Sequence, residues 1–152
     1  MILDVGCGVK PKGDVNIDIS YDYNKLGYSR PRINHKKVKN FILADGQFLP
    51  FKDAVFDKVV SYGVIAYVEN PQKFLEELRR VLKNGGSLYL EELHCFSMIL
   101  TLARRGHKNL FTIRKLRDML TNSIIGLKVI FPRHALGFRY VALRIYVRWR
   151  KP

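Results

Sequence analysis

The first twenty residues, MILDVGCGVKPKGDVNIDIS, restrict the fold more than any other stretch of the chain. A short apolar run (Ile2, Leu3, Val5) leads into Gly6-Cys7-Gly8, and a second run (Val15, Ile17, Ile19) carries Asp18 at its end. Apolar runs this short, bounded by turn residues, read as buried strands. Glycines between them permit a tight turn and let backbone approach a ligand closely. A strand, a glycine turn and a second strand closing on a carboxylate make half of a nucleotide-type crevice. Open α/β sheets bind ligands at the carboxyl ends of their strands, so the rest of the chain is read for the other half.

Downstream, Tyr21 to Lys37 is a polar, aromatic loop, and Val38 to Ala44 reads as a strand ending at Asp45-Gly46. Phe56 to Ser61 is a further buried strand. Asn70 and Pro71 have the chemistry of a helix start. Phe74, Leu75, Leu78, Val81 and Leu82 follow at helical spacing, with Glu76 and Arg80 paired on the outer face and Gly85-Gly86 as the stop. Ser87 to Leu93 is a strand, and Phe96 to Ala103 an apolar helix closing at Arg104-Arg105. Thr112 caps a helix with Ile113, Leu116 and Leu120 inward. Leu127 to Phe131 is a strand, Pro132 to Gly137 a turn, and Tyr140 to Arg150 a long alternating strand. The last two strands, joined by a short connection, predict an antiparallel hairpin on an otherwise parallel α/β sheet. The pattern shows no repeat or linker, so one domain over 1–152 is expected.

Charge is the other constraint. The net charge is +14, and it is uneven: 13 Lys/Arg against the single acid Asp118 from His94 onward, but 14 against 12 before it. Such a basic half attracts phosphate-rich or other anionic partners. Residues 104–150 are therefore the candidate contact to RNA or another anionic substrate, with Arg104, Arg105, Lys108, Arg114, Lys115 and Arg117 tracking phosphates. Tyr140, Arg144, Tyr146 and Arg148 alternate on one strand face, combining charge with stacking. Two cysteines at unrelated spacing imply neither a disulfide framework nor a metal site. The expectation is a cytoplasmic protein without leader peptide or membrane span. His94, His107 and His134 make no metal-ligand spacing, and Cys7 and Cys95 read as packing residues.

Three carboxylates, Asp4, Asp18 and Asp45, fall at carboxyl ends of predicted strands in chain order. The text around them, Ile2-Leu3-Asp4-Val5-Gly6-Cys7-Gly8, Asn16-Ile17-Asp18, Ala44-Asp45, Leu49-Pro50-Phe51, Phe56-Asp57-Lys58-Val59-Val60, Val64 to Pro71 and Leu78 to Gly86, resembles the class I S-adenosylmethionine-dependent methyltransferases. The similarity runs from Met1 to about Leu93. It implies a three-layer, Rossmann-like sheet of seven strands, mostly parallel, with an antiparallel C-terminal hairpin strand. It also implies S-adenosyl-L-methionine as cofactor. Gly6, Cys7 and Gly8 would border its methionine part, with Asp4 near the amino group. Asp18, with Ile19 beside it, would hold the ribose. Asp45, Gly46 and Gln47 would face the adenine, and Ser61 and Tyr62 would line the sulfonium and the substrate mouth. No catalytic residue and no metal is assigned.

The chain departs from the family in three places. Val9 to Asp14 is too short for a parallel crossover with its own helix. Asp18 also follows Gly6 sooner than the roughly 20 residues of dinucleotide folds, which argues against a nicotinamide enzyme. The chain starts at its first strand, so apolar sheet surface is expected to lie uncovered, inviting a homodimer or partner subunit. Ala66-Tyr67 stands where relatives often carry Glu-His, so no histidine base is expected there. Two function classes follow: a methyltransferase acting on RNA or another anionic acceptor, or a non-catalytic basic subunit on a pared-down methyltransferase fold.

Overall fold

The computed structural model describes residues 1–20, 22, 34–95, 107–130 and 142–152. Strands β1 (Ile2–Val5), β2 (Val15–Asp18), β3 (Phe41–Leu43), β4 (Phe56–Tyr62), β5 (Leu82–Leu93), β6 (Ile124–Ile130) and β7 (Ala142–Arg150) form one sheet in the order β3-β2-β1-β4-β5-β7-β6. Pairing is parallel from β3 through β5, and β7 runs antiparallel to both β5 and β6. This is the Rossmann-like methyltransferase arrangement expected from the sequence, including the closing hairpin.

Helix α1 (Pro71–Arg80) forms because Asn70 caps it, its side chain accepting the Lys73 amide at 3.0 Å, and Pro71 occupies the first turn. Phe74, Leu75 and Leu78 bury one stripe of it against Leu3, Val5, Val59, Leu88 and Leu90. Each such side chain contributes about 2 kcal/mol of burial. Helix α2 (Ile113–Met119), capped by Thr112, inserts Leu116 into the same core, and Leu120 follows it there. Both α-helices thus cover one sheet face.

The opposite face is mixed: Ile2 and Val60 share it with Asp4, Lys58, Tyr62, Tyr89, Glu91, Arg148 and Arg150, because strand alternation sends those positions away from the helices. Apolar sheet surface is exposed on the edge strand β6, at Ile124, Leu127 and Val129. Among the described residues no helix is long and apolar enough to cross a membrane.

Several boundaries move. Helix α1 ends at Arg80, not at Gly85-Gly86, because Leu82 already pairs with Phe56. The pairing then steps from Phe56 to Lys58 along β4 but from Leu82 to Ser87 along β5, so the glycines form a bulge inside a strand. Gly85 takes φ +73 there. Lys83, just after the helix, bonds Asp57 at 2.9 Å. Arg80 pairs with Glu77 and Asp53, not Glu76. Strand β3 spans only Phe41–Leu43, after a 3-10 turn at His35–Lys37, and β6 starts at Ile124 rather than Leu127. The predicted helix at 96–103, Arg104, Arg105, the turn at 132–137 with His134, Tyr140 and most of the 21–37 loop lie outside the described residues.

The connection from β1 to β2 consists of residues 6–14, without a helix, although the two strands are adjacent and parallel. Gly6 and Cys7 both donate to the Ile17 carbonyl, at 2.9 and 3.0 Å, so the glycine turn is folded back onto β2. Asp14 closes the loop by accepting the Ile2 amide at 2.8 Å.

Candidate functional site

A cavity of about 910 Å3 opens at the carboxyl ends of β1, β2, β3 and β4, within the usual size range of small-molecule sites. Asp4, Gly6, Cys7, Gly8, Asp18, Ile19, Asp45, Gly46, Gln47 and Tyr62 all line it. Residues far apart in sequence are therefore brought together. Ser61 is not: it is buried in β4 with its hydroxyl unpartnered, and it does not reach the cavity. Tyr62, one residue nearer the carboxyl end of β4, reaches the cavity where Ser61 does not.

The glycine turn is shaped from two sides. Gly6 (φ +75) and Gly8 (φ +56) occupy left-handed conformations that only glycine adopts readily. A β-carbon on Gly6 would strike Val64, and one on Gly46 would strike Phe74. At both positions the missing side chain is required first by protein packing, not by a ligand.

Asp4 is 1% exposed. Its Oδ2 accepts the Lys12 amide at 2.8 Å, while Oδ1 is buried without a hydrogen-bond partner. Burial raises its pKa above the ordinary carboxylate value, the Lys12 amide opposes that, and the charge of Asp18 adds to it. Asp18, also buried, accepts from the Gly8 amide at 3.0 Å and the Ser20 amide at 3.4 Å.

Asp45 is oriented by Gln47, whose backbone and side-chain nitrogens donate to it at 2.8 and 3.1 Å. Gln47 in turn accepts the Asn70 amide at 2.7 Å, tying the cavity loop to the start of α1. Beneath it, buried Glu77 accepts the Leu49 amide at 2.8 Å and pairs with Arg80, which holds the Phe51 and Leu49 carbonyls. The Arg80 guanidinium keeps the Glu77 carboxyl below its usual pKa.

The other wall mixes rings and charges. The Lys12 ammonium sits 3.0 Å from the Tyr62 ring centroid. Burial, then the charges of Glu91 and Asp4, raise the Tyr62 phenol above its ordinary value, so it stays protonated at neutral pH. Tyr67 stacks on His107 with centroids 4.3 Å apart. Lys108 and Arg144, from the basic half, border the cavity and pair with Glu69 and Glu91 respectively. Burial, then the Asp18 and Asp4 charges, push the Cys7 thiol up to about 12, which makes it a packing group and not a nucleophile. Among the described residues no group of three or more His, Cys, Asp or Glu could hold a metal ion.

Lys10, Lys12, Val64, Val68 and Glu69 also line the cavity and were not singled out from the sequence. Lys12 had one signal: it falls inside the short glycine loop, which cannot retreat far from the crevice. The arrangement combines buried carboxylates, an aromatic wall and basic residues at the border.

The family described as a methyltransferase domain matches residues 3–90. An uncharacterized protein of Methanocaldococcus jannaschii is 38% identical over 92 residues, covering 58% of this chain and 42% of that protein. A demethylmenaquinone methyltransferase of Paenarthrobacter aurescens is 34% identical over 96 residues, covering 60% and 38%. The chain thus spans less than half the length of these curated relatives. A solved SAM-dependent methyltransferase of Thermotoga maritima superposes with a TM-score of 0.75 at 18% identity, over 99% of this chain and 82% of that one. That likeness establishes the fold.

Proposed function

This chain belongs to the class I S-adenosylmethionine-dependent methyltransferase family, and from that membership we propose that it transfers a methyl group from S-adenosyl-L-methionine to an anionic acceptor. The observation that carries the reading is the buried, unpartnered Oδ1 of Asp4 in the cavity beside buried Asp18. A desolvated carboxylate oxygen without a donor calls for a cation, and the amino group of the cofactor's methionine part supplies one.

The remaining residues fit the same group. Asp18 would meet the ribose hydroxyls from its place in the cavity, and Asp45, Gly46 and Gln47 would form the wall for the adenine. Ile19, Cys7 and Gly8 lie between these ends. When bound, the cofactor supplies an electrophilic methyl on a positively charged sulfur. The protein's part is alignment and exclusion of water, which alone account for large rate factors. Tyr62 and Tyr67 present ring faces where an acceptor would approach, and Lys108 and Arg144 give that side its basic border. With Ala66-Tyr67 after β4, no histidine base is assigned there.

The test is calorimetry with S-adenosylhomocysteine, followed by transfer of labelled methyl to RNA, protein and small-molecule fractions of a cell extract. Saturable heat that disappears in Asp18→Ala, with label in an anionic fraction, is expected. No heat with the unmodified protein overturns the reading. Heat without transfer to any fraction would instead favour a fold retained for binding alone.

A further inference from the structure

The sheet face turned away from α1 and α2 carries a second cavity of about 540 Å3, apart from the donor site. Register builds it in rows. Lys58, Ser87 and Arg150 are neighbours across β4, β5 and β7. One step along, Tyr89 lies beside Arg148, and Arg148 beside Ile124. Lys58, Arg148 and Arg150 are exposed, and among the described residues no carboxylate lines the cavity. Glu91, on the same face of β5, is buried and committed: it accepts from the Tyr89 hydroxyl at 3.0 Å and from Arg144 at 2.9 Å.

Rings are held among these cations. Tyr89 tilts against Tyr62 with centroids 5.5 Å apart. The Arg148 guanidinium sits 5.8 Å from the Tyr146 ring. That ring lies over Gly126, where a β-carbon would come within 2.4 Å of the tyrosine hydroxyl, so glycine there makes room for it. A rigid strand face that alternates cations with aromatic rings has the chemistry of a single-stranded polynucleotide platform. Cations meet phosphates, and every base offers a π-face. Anionic lipid would use the charges but not the ordered rings, and the face carries no exposed apolar wedge except Ile124.

We propose that this face binds single-stranded nucleic acid, with phosphates on Lys58, Arg148 and Arg150 and a base against Tyr89. Tyr62 lines both cavities, so a strand seated here ends at the mouth of the donor site. The binding itself does not depend on methyl transfer.

Fluorescence anisotropy with a labelled oligouridylate tests it. Three phosphate contacts predict a log–log salt slope of about −2. Arg148→Ala/Arg150→Ala should reduce that slope to about −0.7, and Tyr89→Ala should weaken binding about tenfold while Tyr89→Phe retains it. Lys36→Ala/Lys37→Ala on the exposed 3-10 turn removes the same charge and should leave affinity within about twofold, which separates this face from the general field of a basic protein. Circular dichroism melts confirm that each variant is folded. Equal losses in the two double variants overturn the proposal, as does binding to phosphatidylserine vesicles without binding to the oligonucleotide. A self-association broken by Arg148→Ala/Arg150→Ala, with no oligonucleotide bound, assigns the face to a second copy and equally overturns it.

Discussion

A β-carbon placed on Gly6 would stand 2.1 Å from Cγ2 of Val64. The glycine turn and the segment after β4 are therefore in contact, and Gly6 also holds φ +75. Gly6→Ala should destabilise the protein by about 3 kcal/mol, the sum of left-handed strain and overpacking. Gly6→Ala/Val64→Ala removes the clash but not the strain. Chemical denaturation should show the double variant more stable than the sum of the single changes implies. Simple additivity would mean that the two residues do not press on each other.

Asp4 gives a pH signature with a definite sign. Its folded pKa lies above the ordinary 3.8, so the folded protein holds a proton that the unfolded chain releases. Stability therefore falls as pH rises from 3.8 through the folded value. Asp4→Asn should abolish that fall, giving a higher Tm at pH 7 than the parent but little advantage at pH 3. Donor binding should move the other way, weakening about tenfold or more through loss of a charge-assisted bond. A higher Tm with unchanged S-adenosylhomocysteine affinity would remove Asp4 from the binding site.

Glu77 supports the site from below. It is buried, accepts the Leu49 amide and pairs with Arg80. Glu77→Gln should cost about 2 kcal/mol, less than a fully buried pair because Arg80 is partly exposed. The folded pKa is lowered, so this stability is present above the ordinary value of 4.5 and lost as pH falls through the folded value. The difference between parent and variant should shrink in acid melts. A constant difference down to pH 3 would place the cost in packing instead.

Thiol labelling should distinguish the two cysteines. Cys7 is buried with its thiol pushed up to about 12, while Cys95 is half-buried. At pH 8 a disulfide reagent should modify Cys95 first and Cys7 only at the rate of unfolding. Rapid reaction of both would show that the glycine turn opens in solution.

The cavity end of the sheet was readable because chemistry and position coincide there. Glycines at the turn and carboxylates at strand ends leave few other structures for Met1 to Ser20 and for Ala44-Asp45. Where two periods fit one segment, the reading failed. Val81 and Leu82 satisfy a helix stripe, yet they are the entry to β5, because pairing with Phe56 outweighs one more helical turn. Glu76 and Glu77 are both within a turn of Arg80, and spacing cannot choose between them. The Leu49 amide and Phe51 carbonyl make the choice, and neither is local. Of the pair Ser61 and Tyr62, only Tyr62 lines the cavity; Ser61 is buried one residue short of it. The cationic rows across β4, β5 and β7 were half visible: the alternation in β7 was legible, but its neighbours Lys58 and Tyr89 emerge only from register.

The helix-free connection between β1 and β2 also sets an order of assembly. Leu3 meets Val15 twelve positions along the chain but meets Val59 only fifty-six positions along. Closing the shorter loop costs about 1.4 kcal/mol less entropy. On loop closure alone, the contacts of Gly6 and Cys7 with Ile17 are expected to form ahead of the β1–β4 seam. A folding transition state in which the glycine turn is already native, and the Tyr62 wall is not, follows from nine residues of loop where a helix would have delayed both.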